Sequence, residues 1–445
     1  MAETLNSDNV LTKCQRIAEL AKQNRQMAFT SLNQYLDVDW LREAFHRVRK
    51  DGAPGVDGQT WQEYEVDLEA NLQSLLNRAK SGSYRAPPVR RVHIPKGSSS
   101  TETRPIGIPT IEDKVLQRGV TMLLEAIYEQ DFYPSSYGFR RGRSAHQALE
   151  SLWEQSMKLG IRWILDVDVR KFFDTLDHRH LRELLQLRVR DGVIMRLIGK
   201  WLNAGVMEDG AIHYPEAGSP QGGVISPILA NVYLHYVLDQ WFHEVVLPHL
   251  SGRAFLIRFA DDFVIGFTAE NDARRVLDVV PKRFGKYGLA IHPDKTRLVP
   301  FGSPQEREGA SNGSKPSSFD FLGFTHYWGR SRRGQWVIKR KTASSRLSRA
   351  LHAISQWCRL HRHCPLAEQQ ATLSRKLRGH FQYYGITGNS SSLNDFAQEV
   401  TRLWYKWLSR RHRDRPTWAW FNQLLKRFPL PSPVAVHSIL RVAKV

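Results

Sequence analysis

The sequence predicts an α+β fold in which a body of helices and strands is followed by a basic helical domain. Short runs of apolar, β-forming residues, such as 163–169 and 254–267, lie between segments with helical periodicity. From Ala343 onward the periodicity is helical, with one apolar stripe within residues 347–358 and another within 393–408. A chain of 445 residues is long enough to form two or three domains with separate cores.

Positive charge is concentrated in the C-terminal part of the chain. The formal net charge is +20, and residues 326–445 hold 23 Lys and Arg against 4 Asp and Glu, whereas residues 1–325 hold 41 and 40. Seven of the 13 tryptophans also lie in this basic part. Cations that neutralise phosphates, beside aromatic rings that stack on bases, favour nucleic acid over an anionic membrane as the partner. The alternative is a basic surface that only keeps the domain in solution.

Several other classes of protein do not fit the sequence. It contains no run of 18 apolar residues, so no membrane-spanning helix is predicted. The first ten residues lack the basic and apolar regions of a secretion signal. Cys14, Cys358 and Cys364 form no CxxC pair, so neither a disulfide framework nor a zinc site is predicted, and a cytoplasmic location is expected.

The N-terminal part is predicted to be mostly helical, with a hairpin near residue 100. Helical periodicity covers residues 9–50 and 61–80, and a further helix is predicted over 111–129. Two short strand-like runs flank a Gly/Ser/Thr tip, and Lys96 and Arg104 stand on its two sides. Two cations on a hairpin suit a triphosphate, although basic hairpin tips are commonly just solvated.

Residues 137–144, with the sequence YGFRRGRS, carry three arginines among glycines. Arg140, Arg141 and Arg143 suit contact with the phosphate backbone of a nucleic acid. Ser144 is predicted to cap the following helix.

Two acidic clusters lie in or beside apolar strands. Asp166 and Asp168 alternate with apolar residues in 163–169, so both carboxylates lie on one face of the predicted strand. Asp261 and Asp262 separate two apolar runs and are predicted to crown a hairpin, where a solvated turn is the simpler interpretation. Neighbouring carboxylates repel one another near a core, and a bound Mg²⁺ would relieve that repulsion.

A series of motifs, taken in its order along the chain, resembles the reverse transcriptases encoded by bacterial group II introns. The motifs are GAPGVDG, IPK with RPIGIP, YGFRRGRSAHQAL, DVDVRKFFDTLDH, GSPQGGVISPILANVYLH, RFADDFV, HPDKT, FDFLGF, LRGHFQYYG and TWAWFNQLLKRFPLP. Each motif alone is a weak signal, but together they span nearly the whole chain. The resemblance implies a right-hand polymerase with fingers, a palm built on a split βαβ-type antiparallel sheet, and a helical thumb, also called the X or maturase domain.

The resemblance also implies a catalytic site. Asp168, Asp261 and Asp262 would form the catalytic acidic set and, with the backbone of Val169, would hold two Mg²⁺ ions. The implied reaction is the addition of deoxynucleotides to the 3′-hydroxyl of a DNA primer on an RNA template.

A second group of residues would bind the incoming deoxynucleotide, again as the resemblance implies. Phe173 would exclude a ribose 2′-hydroxyl, and Gln221 would line the nucleotide pocket. Lys96 and Arg104 would hold the triphosphate. Lys295 would lie near the leaving pyrophosphate, and whether it acts as a general acid stays open.

The residues alone leave other interpretations open. Phe172 and Phe173 both suit a hydrophobic core, and Phe172 is expected there. Asp166 and Asp174 are expected beside the metal ligands or on the surface rather than among the ligands. Lys295 suits an exposed loop equally well.

The C-terminal part is predicted to be a helical bundle with a basic outer face. A polar, linker-like loop over residues 302–318 precedes it. Most of its tryptophans are expected to pack inside the bundle. The cations expected to contact phosphates are Arg410, Arg411, Arg413, Arg415, Lys426 and Arg427.

These predictions divide the chain into three domains. Residues 1–85 would form an N-terminal extension and the start of the fingers, 86–328 the fingers and palm, and 329–445 the thumb or maturase domain.

The expected function is reverse transcription, together with binding of a group II intron RNA for splicing and retromobility. One alternative is a related reverse transcriptase recruited to DNA repair or CRISPR-type defence, and another is a maturase acting mainly as an RNA-binding splicing factor. Phe259 replaces the tyrosine usual in the family, and the motifs end after FPLP without a Cys/His-rich nuclease module, so cleavage of a second DNA strand is not expected. The oligomeric state stays open.

Overall fold

The computed structural model describes residues 2–95, 103–208, 211–214, 222–304, 317–411 and 416–437. The chain divides into two compact units. The first unit comprises Met1–Ile94, Thr103–Ala148 and Trp163–Leu298, and the second comprises Pro95–Glu102, Leu149–Arg162 and Val299–Val445. None of the described helices combines the length and the apolar composition needed to cross a membrane.

Both helices and strands precede residue 301. The helices are α1 (Ala2–Gln23), α2 (Val38–His46), α3 (Trp61–Val66), α4 (Leu68–Ser81), α5 (Ile111–Tyr128), α6 (Ala145–Leu159), α7 (Phe172–Thr175), α8 (His178–Gln186), α9 (Gly192–Leu202), α10 (Ser226–Leu234) and α11 (Glu270–Gly285). The strands are β1 (Val89–Pro95), β2 (Thr103–Ile108), β3 (Trp163–Asp168), β4 (Val206–Glu208), β5 (Ala211–His213), β6 (Ala254–Phe259), β7 (Asp262–Phe267) and β8 (Arg297–Pro300).

A four-stranded sheet with the order β6-β7-β3-β8 carries the acidic residues. β7 is antiparallel to both β3 and β6 and lies between them, which is the split βαβ-type arrangement that the motifs implied. All residues of β7 after Asp262 are buried. Burial on both faces explains why FVIGF is continuously apolar instead of alternating.

A second sheet, with the order β2-β1-β4-β5, lies in the N-terminal half of the chain. β1 and β2 are the two strands predicted around residue 100, and β1 runs parallel to β4. The tip between them, including Lys96, lies outside the described residues.

The predicted continuous helix over residues 9–50 is wrong, because the chain breaks between α1 and α2. A short 3₁₀ turn covers Leu32–Tyr35, and α2 begins only at Val38. The carboxylate of Asp37 accepts a hydrogen bond of 2.9 Å from the Trp40 backbone N–H and caps this new start. The apolar stripe continues across the break because Leu32, Leu36 and Trp40 are all buried.

The other helices of this part form close to the predicted bounds. Residues 61–80 are helical with one break at Asp67, and α4 ends at Gly82, whose φ of +88° suits glycine. α5 is buried on most of its surface and packs against α1 and α2. Ser144 caps α6, because its Oγ accepts a hydrogen bond of 3.2 Å from the Gln147 N–H.

The second unit combines a small sheet with a helical bundle. Its elements are β9 (Phe319–Phe321), β10 (Phe324–Arg330), β11 (Trp336–Thr342), α12 (Ser344–Leu360), α13 (Leu366–Tyr384), α14 (Ser390–Ser409) and α15 (Trp418–Arg427). The sheet has the order β11-β10-β9, and Leu322 and Gly323, both with positive φ, form the turn between β9 and β10. Most of the predicted linker, residues 305–316, lies outside the described residues.

The predicted apolar stripes form the core of this bundle. Leu377, Val400, Trp404 and Phe421 are almost completely buried and belong to one cluster. The indole N–H of Trp404 donates a hydrogen bond of 3.0 Å to Gln369 Oε1, so its polar atom is satisfied inside the core.

Candidate active site

The acidic residues meet at one edge of the four-stranded sheet. Asp168, the last residue of β3, lies directly opposite Asp262, the first residue of β7. Ala260 and Asp261 form the two-residue turn between β6 and β7. Two clusters that are far apart in sequence are therefore joined by strand pairing, which sequence spacing alone did not establish.

The turn has a conformation that a side chain disfavours. Ala260 has a φ of +58°, and a two-residue hairpin turn requires a positive φ of this kind. The sequence places alanine where glycine or asparagine is usual, so the surrounding structure must hold the turn. One support is a hydrogen bond of 3.0 Å from Arg258 Nη1 to the carbonyl oxygen of Ala260.

The environment of Asp261 is unfavourable for an isolated carboxylate. Burial raises the pKa of Asp261, and the negative charge of Asp168 raises it further, while the guanidinium of Arg104 acts in the opposite direction. Asp262, by contrast, is exposed. The site therefore gathers negative charge that a bound cation would stabilise.

Lys295 lies at this acidic edge. Its Nζ is 3.3 Å from Asp168 Oδ2. The loop that carries it is fixed by a hydrogen bond of 2.8 Å from the His292 N–H to the carbonyl oxygen of Asp168. Lys295 is thus a partner of the acidic set in addition to being an exposed loop cation.

The residues flanking Asp168 divide as the sequence suggested. Phe172 is buried in the core, whereas Phe173 is half-buried and meets it edge to face, with ring centroids 5.3 Å apart. Asp166 pairs with Arg297 at 3.0 Å. The backbone of Val169 follows Asp168 directly and bridges to Ile291.

Arg258 is the residue that sequence reasoning missed. Its side chain is fully buried and forms two hydrogen bonds, of 2.7 and 2.6 Å, with the equally buried carboxylate of Asp239. It also donates to Asn231 Oδ1 at 2.9 Å and to Ser136 Oγ at 2.7 Å. With the bond to Ala260 described above, this network connects the acidic turn to three other parts of the first unit.

A sequence signal for this network existed. Arg258 stands within the apolar strand AFLIRF, where a charged residue is costly unless its charge is paired. Asp239 occurs likewise among apolar residues of a π-helical segment, His235–Gln240. Two opposite charges in buried segments predict an ion pair, although the sequence does not identify the partners.

Gly138 supports the same turn from outside. A Cβ atom at this position would lie 2.2 Å from the backbone nitrogen of Ala260, so no side chain fits. Asn231 Nδ2 donates to the carbonyl oxygen of Gly138 at 2.8 Å, which connects it to the Arg258 network. The first half of YGFRRGRS therefore serves to hold the hairpin.

The prediction that Arg140 contacts nucleic acid is not supported by its position. Its side chain is buried, and its guanidinium donates to Glu129 and to the carbonyl oxygens of Tyr133 and Ser136. Arg141 and Arg143 are exposed, as nucleic-acid contact requires.

The described part of the segment that was predicted to line the nucleotide pocket begins at Gly222, because Gln221 lies outside the described residues. Gly222 has a φ of +110°, and a Cβ there would lie 2.5 Å from the Gly107 carbonyl oxygen of β2. Glycine is therefore required where this segment passes β2, the strand that carries Arg104.

The predicted phosphate-binding cations of the second unit are exposed where they are described. Arg410 stacks on the ring of Trp407 at 4.8 Å, and Arg411, Lys426 and Arg427 are also exposed. Arg413 and Arg415 lie outside the described residues.

Two family models match this chain. The model described as reverse transcriptase (RNA-dependent DNA polymerase) matches residues 94–326, which is more than half of the chain. The model described as group II intron, maturase-specific domain matches residues 347–426.

Individual proteins and one solved structure are also similar to this chain. Protein YkfC of Escherichia coli is 34% identical over 67% of this chain and 83% of its own length. The group II intron-encoded protein LtrA of Lactococcus lactis is 36% identical over 50% of this chain and 37% of its own length, so this chain spans little more than a third of that relative. The solved structure of Candida albicans telomerase with a telomeric RNA fragment is a distant match, 14% identical, with a TM-score of 0.44 and coverage of 82% of this chain and 65% of that one.

Proposed function

This chain belongs to the reverse transcriptase family of RNA-dependent DNA polymerases, and from that premise we propose that it extends a DNA primer on an RNA template at the β3–β7 sheet edge. The pairing of Asp168 with Asp262, beside Asp261 in the turn, is the observation that carries this proposal. Deoxynucleoside triphosphates are the proposed substrates.

Two Mg²⁺ ions are the proposed cofactors, and reverse transcriptases as a family use divalent metal ions. Among the described residues, no group of three or more His, Cys, Asp or Glu side chains lies close enough together to hold a metal ion by itself. An open set of carboxylates suits Mg²⁺, because this ion keeps water and substrate phosphates among its ligands. We assign Asp168 and Asp261 as shared ligands, with Asp262 and the Val169 backbone beside them. When bound, the ions would activate the primer 3′-hydroxyl and stabilise charge on the leaving pyrophosphate.

The chain's own residues supply positioning and charge compensation. Arg104 is the proposed ligand of the triphosphate, which the effect of its charge on Asp261 supports. The pairing of Lys295 with Asp168 supports its proposed place near the pyrophosphate. Lys96 and Gln221 keep their proposed roles in triphosphate binding and the nucleotide pocket. We further propose that Phe173, half-buried beside Phe172, excludes the ribose 2′-hydroxyl sterically.

A second proposed activity is assistance to the splicing of a group II intron RNA. The match of residues 347–426 to the maturase-specific domain is the observation that favours it. The exposed Arg410, Arg411, Lys426 and Arg427 are the proposed phosphate contacts, with Arg413 and Arg415 added from the sequence. Retromobility would combine the two activities.

The three-domain division stays a proposal. The reverse transcriptase match ends at residue 326 and the maturase match begins at 347, which supports a boundary near 328. The compact units divide the chain earlier, at Val299, because β9 and β10 belong to the second unit.

Replacement of Asp261 by Asn tests the catalytic assignment. Loss of a metal ligand worth several kcal/mol should slow primer extension by about 10³-fold or more. RNA affinity should stay near that of the wild type, because the basic surfaces are unchanged. Asp174→Asn, which removes an exposed carboxylate from the neighbouring α7, is the matched control and should extend primers normally. Normal extension by the Asp261 variant would refute the site.

Replacement of Phe173 by Val tests the sugar gate. A smaller side chain should admit ribonucleotides, and the ratio of kcat/KM for deoxynucleotide over ribonucleotide should fall by roughly 10-fold to 200-fold. Single-nucleotide incorporation with matched dNTP and rNTP measures this ratio. An unchanged ratio would leave Phe173 as a packing residue only.

A further inference from the structure

The first unit contains a basic cleft that shares no residue with the acidic edge. It has a volume of about 660 Å³ and lies between α8, α9 and the segment before β1. Arg85, Arg182, Arg196 and Lys200 line it, and among the residues that the structure describes its lining includes no Asp or Glu. This is a local excess of positive charge within a part of the chain that is close to neutral overall.

Three of these cations are available to a ligand. Lys200 is committed, because its Nζ donates to the carbonyl oxygens of Gly82 and Tyr84. Arg85, Arg182 and Arg196 are exposed, and none forms a salt bridge with the described carboxylates. Tyr214, also on the lining, is 72% exposed, so its ring is free to stack.

We propose that this basic cleft binds the backbone of an RNA segment outside the polymerase site. Exposed guanidinium groups suit phosphates, and an exposed aromatic ring suits an unpaired base. This proposal rests on the proposed function, in which the template is RNA. It adds a second point of contact, which would hold a long RNA while the acidic edge acts on the primer.

The double variant Arg182→Gln/Arg196→Gln tests the cleft, with an unprimed 60-nucleotide RNA hairpin as the probe. Its affinity should fall by roughly 10-fold or more, and the slope of log K against log[salt] should become shallower by about 2. Primer extension on a short primed template should be unchanged. Arg274→Gln/Arg275→Gln on α11 removes the same charge elsewhere and is the control.

The outcomes separate this proposal from the polymerase assignment. The proposal would be overturned if the control variant Arg274→Gln/Arg275→Gln lost as much RNA affinity as the cleft variant. It would also be overturned if the cleft variant kept the wild-type RNA affinity. A third result would be that inorganic triphosphate at low concentration displaces the RNA hairpin equally from the wild type and from the Arg182→Gln/Arg196→Gln variant. That result would assign the cleft to small anions and would also overturn the proposal. Failure of the wild type to extend primers would instead refute the proposed function and leave the binding comparison intact.

A separate observation concerns Asp113 of α5, which lies beneath the nucleotide-binding segment. Its side chain is 2% exposed, and its Oδ1 has no hydrogen-bond partner among the described residues. It lines an internal cavity of about 10 Å³ together with Gln117, Trp201, Gly223 and Ser226. Space of this order holds about one water molecule.

The same cavity touches the backbone that follows Gln221. Gln117 Oε1 accepts a hydrogen bond of 3.4 Å from the Ile225 N–H. We propose that Asp113 and Gln117, through one water molecule in this cavity, position the segment from Gly222 to Ile225 for nucleotide binding. Asp113 is then a positioning residue that acts on the nucleotide pocket without touching the nucleotide.

The protonation state of Asp113 follows from its surroundings. Burial raises the pKa of Asp113 to about 8, a side-chain hydrogen bond with Trp201 acts in the opposite direction, and the negative charge of Asp57 adds to the rise. The other cavity partners, from α5, α9, α10 and β1, are uncharged. At pH 7 the carboxyl is therefore neutral and has a proton to donate, whereas above about pH 8 it loses that proton.

Asp113→Asn and Asp113→Leu test this role. The amide retains a donor at every pH, so the wild-type KM for dNTP should rise relative to that of Asp113→Asn between pH 7 and 9.5. Asp113→Leu should raise KM by roughly 5-fold to 10-fold at pH 7 with a smaller change in kcat. Thr121→Val, a buried polar change on the same helix, should keep the wild-type pH profile. Matching pH profiles in wild type and Asp113→Asn, or an unchanged KM in Asp113→Leu, would overturn the proposal even though primer extension itself persists.

Discussion

The acidic hairpin of β6 and β7 and the small sheet of the second unit both bury ionisable side chains, but they do so in opposite ways. At the hairpin, Arg258 and Asp239 are fully buried, and five hydrogen bonds satisfy the guanidinium. In the small sheet, His326 of β10 is fully buried, stacks on Phe319 at 4.8 Å, and neither ring nitrogen has a hydrogen-bond partner among the described residues.

The difference shows what each buried group does. Burial lowers the pKa of His326 to about 3, so the ring is neutral and packs as an aromatic side chain. The Arg258 charge is kept and directed at the Ala260 carbonyl, inside a turn with a strained φ. A buried ion pair is weak evidence for added stability. Here it holds the guanidinium against the carbonyl oxygen of Ala260, the residue next to Asp261.

Breaking the ion pair should have the largest effect. Arg258→Met leaves the buried Asp239 carboxylate unpaired and should reduce the free energy of unfolding by about 3–5 kcal/mol. Chemical denaturation of the full chain measures this change.

The double variant Arg258→Met/Asp239→Leu sharpens the result. It removes both charges, so much of the stability should return. Primer extension should stay low, because the turn has lost its support at Ala260. Recovery of extension together with stability would show that the pair contributes folding energy only.

Acid should destabilise the second unit through His326. The unfolded ring has a pKa of about 6.5 and binds a proton below that pH, whereas the folded ring, with its lowered pKa, does not. Stability is therefore fully present above about pH 6.5 and is lost as pH falls, by about 2 kcal/mol between pH 6.5 and 5.

His326→Phe keeps the stack on Phe319 and removes this titration. The difference in unfolding free energy between wild type and variant should therefore change by about 2 kcal/mol between pH 6.5 and 5. A constant difference from pH 5 to 7 would contradict this prediction, because it would show that the ring binds a proton equally in the folded and the unfolded chain.

The smallest effect on stability is expected at exposed cations of the bundle. Arg410→Gln/Lys426→Gln should change the free energy of unfolding by less than about 0.5 kcal/mol, because both side chains lie on the surface. Intron RNA affinity at constant salt should nevertheless fall by roughly 10-fold, with a shallower salt dependence. Asp261→Asn is the complementary control, because it leaves the bundle unchanged and should therefore keep splicing activity.

Local patterns predicted much of this molecule. The apolar stripes of α12 and α14, the cap at Ser144, the strands β3, β6 and β7, and the basic C-terminal part all follow from spacing and residue type. These features depend on neighbours within a few turns, so one stretch of sequence contains the information.

Tertiary structure decided the rest. The sequence contained Asp168 and Asp262, Arg258 and Asp239, and Arg140 and Glu129, but it did not say which would meet, because partners at long range are fixed by strand register and helix packing. Arg140 therefore looked like a phosphate contact and is buried in an ion pair. The acidic hairpin, in contrast, was identifiable from its residues, while the buried arginine that holds its turn became visible only in the fold.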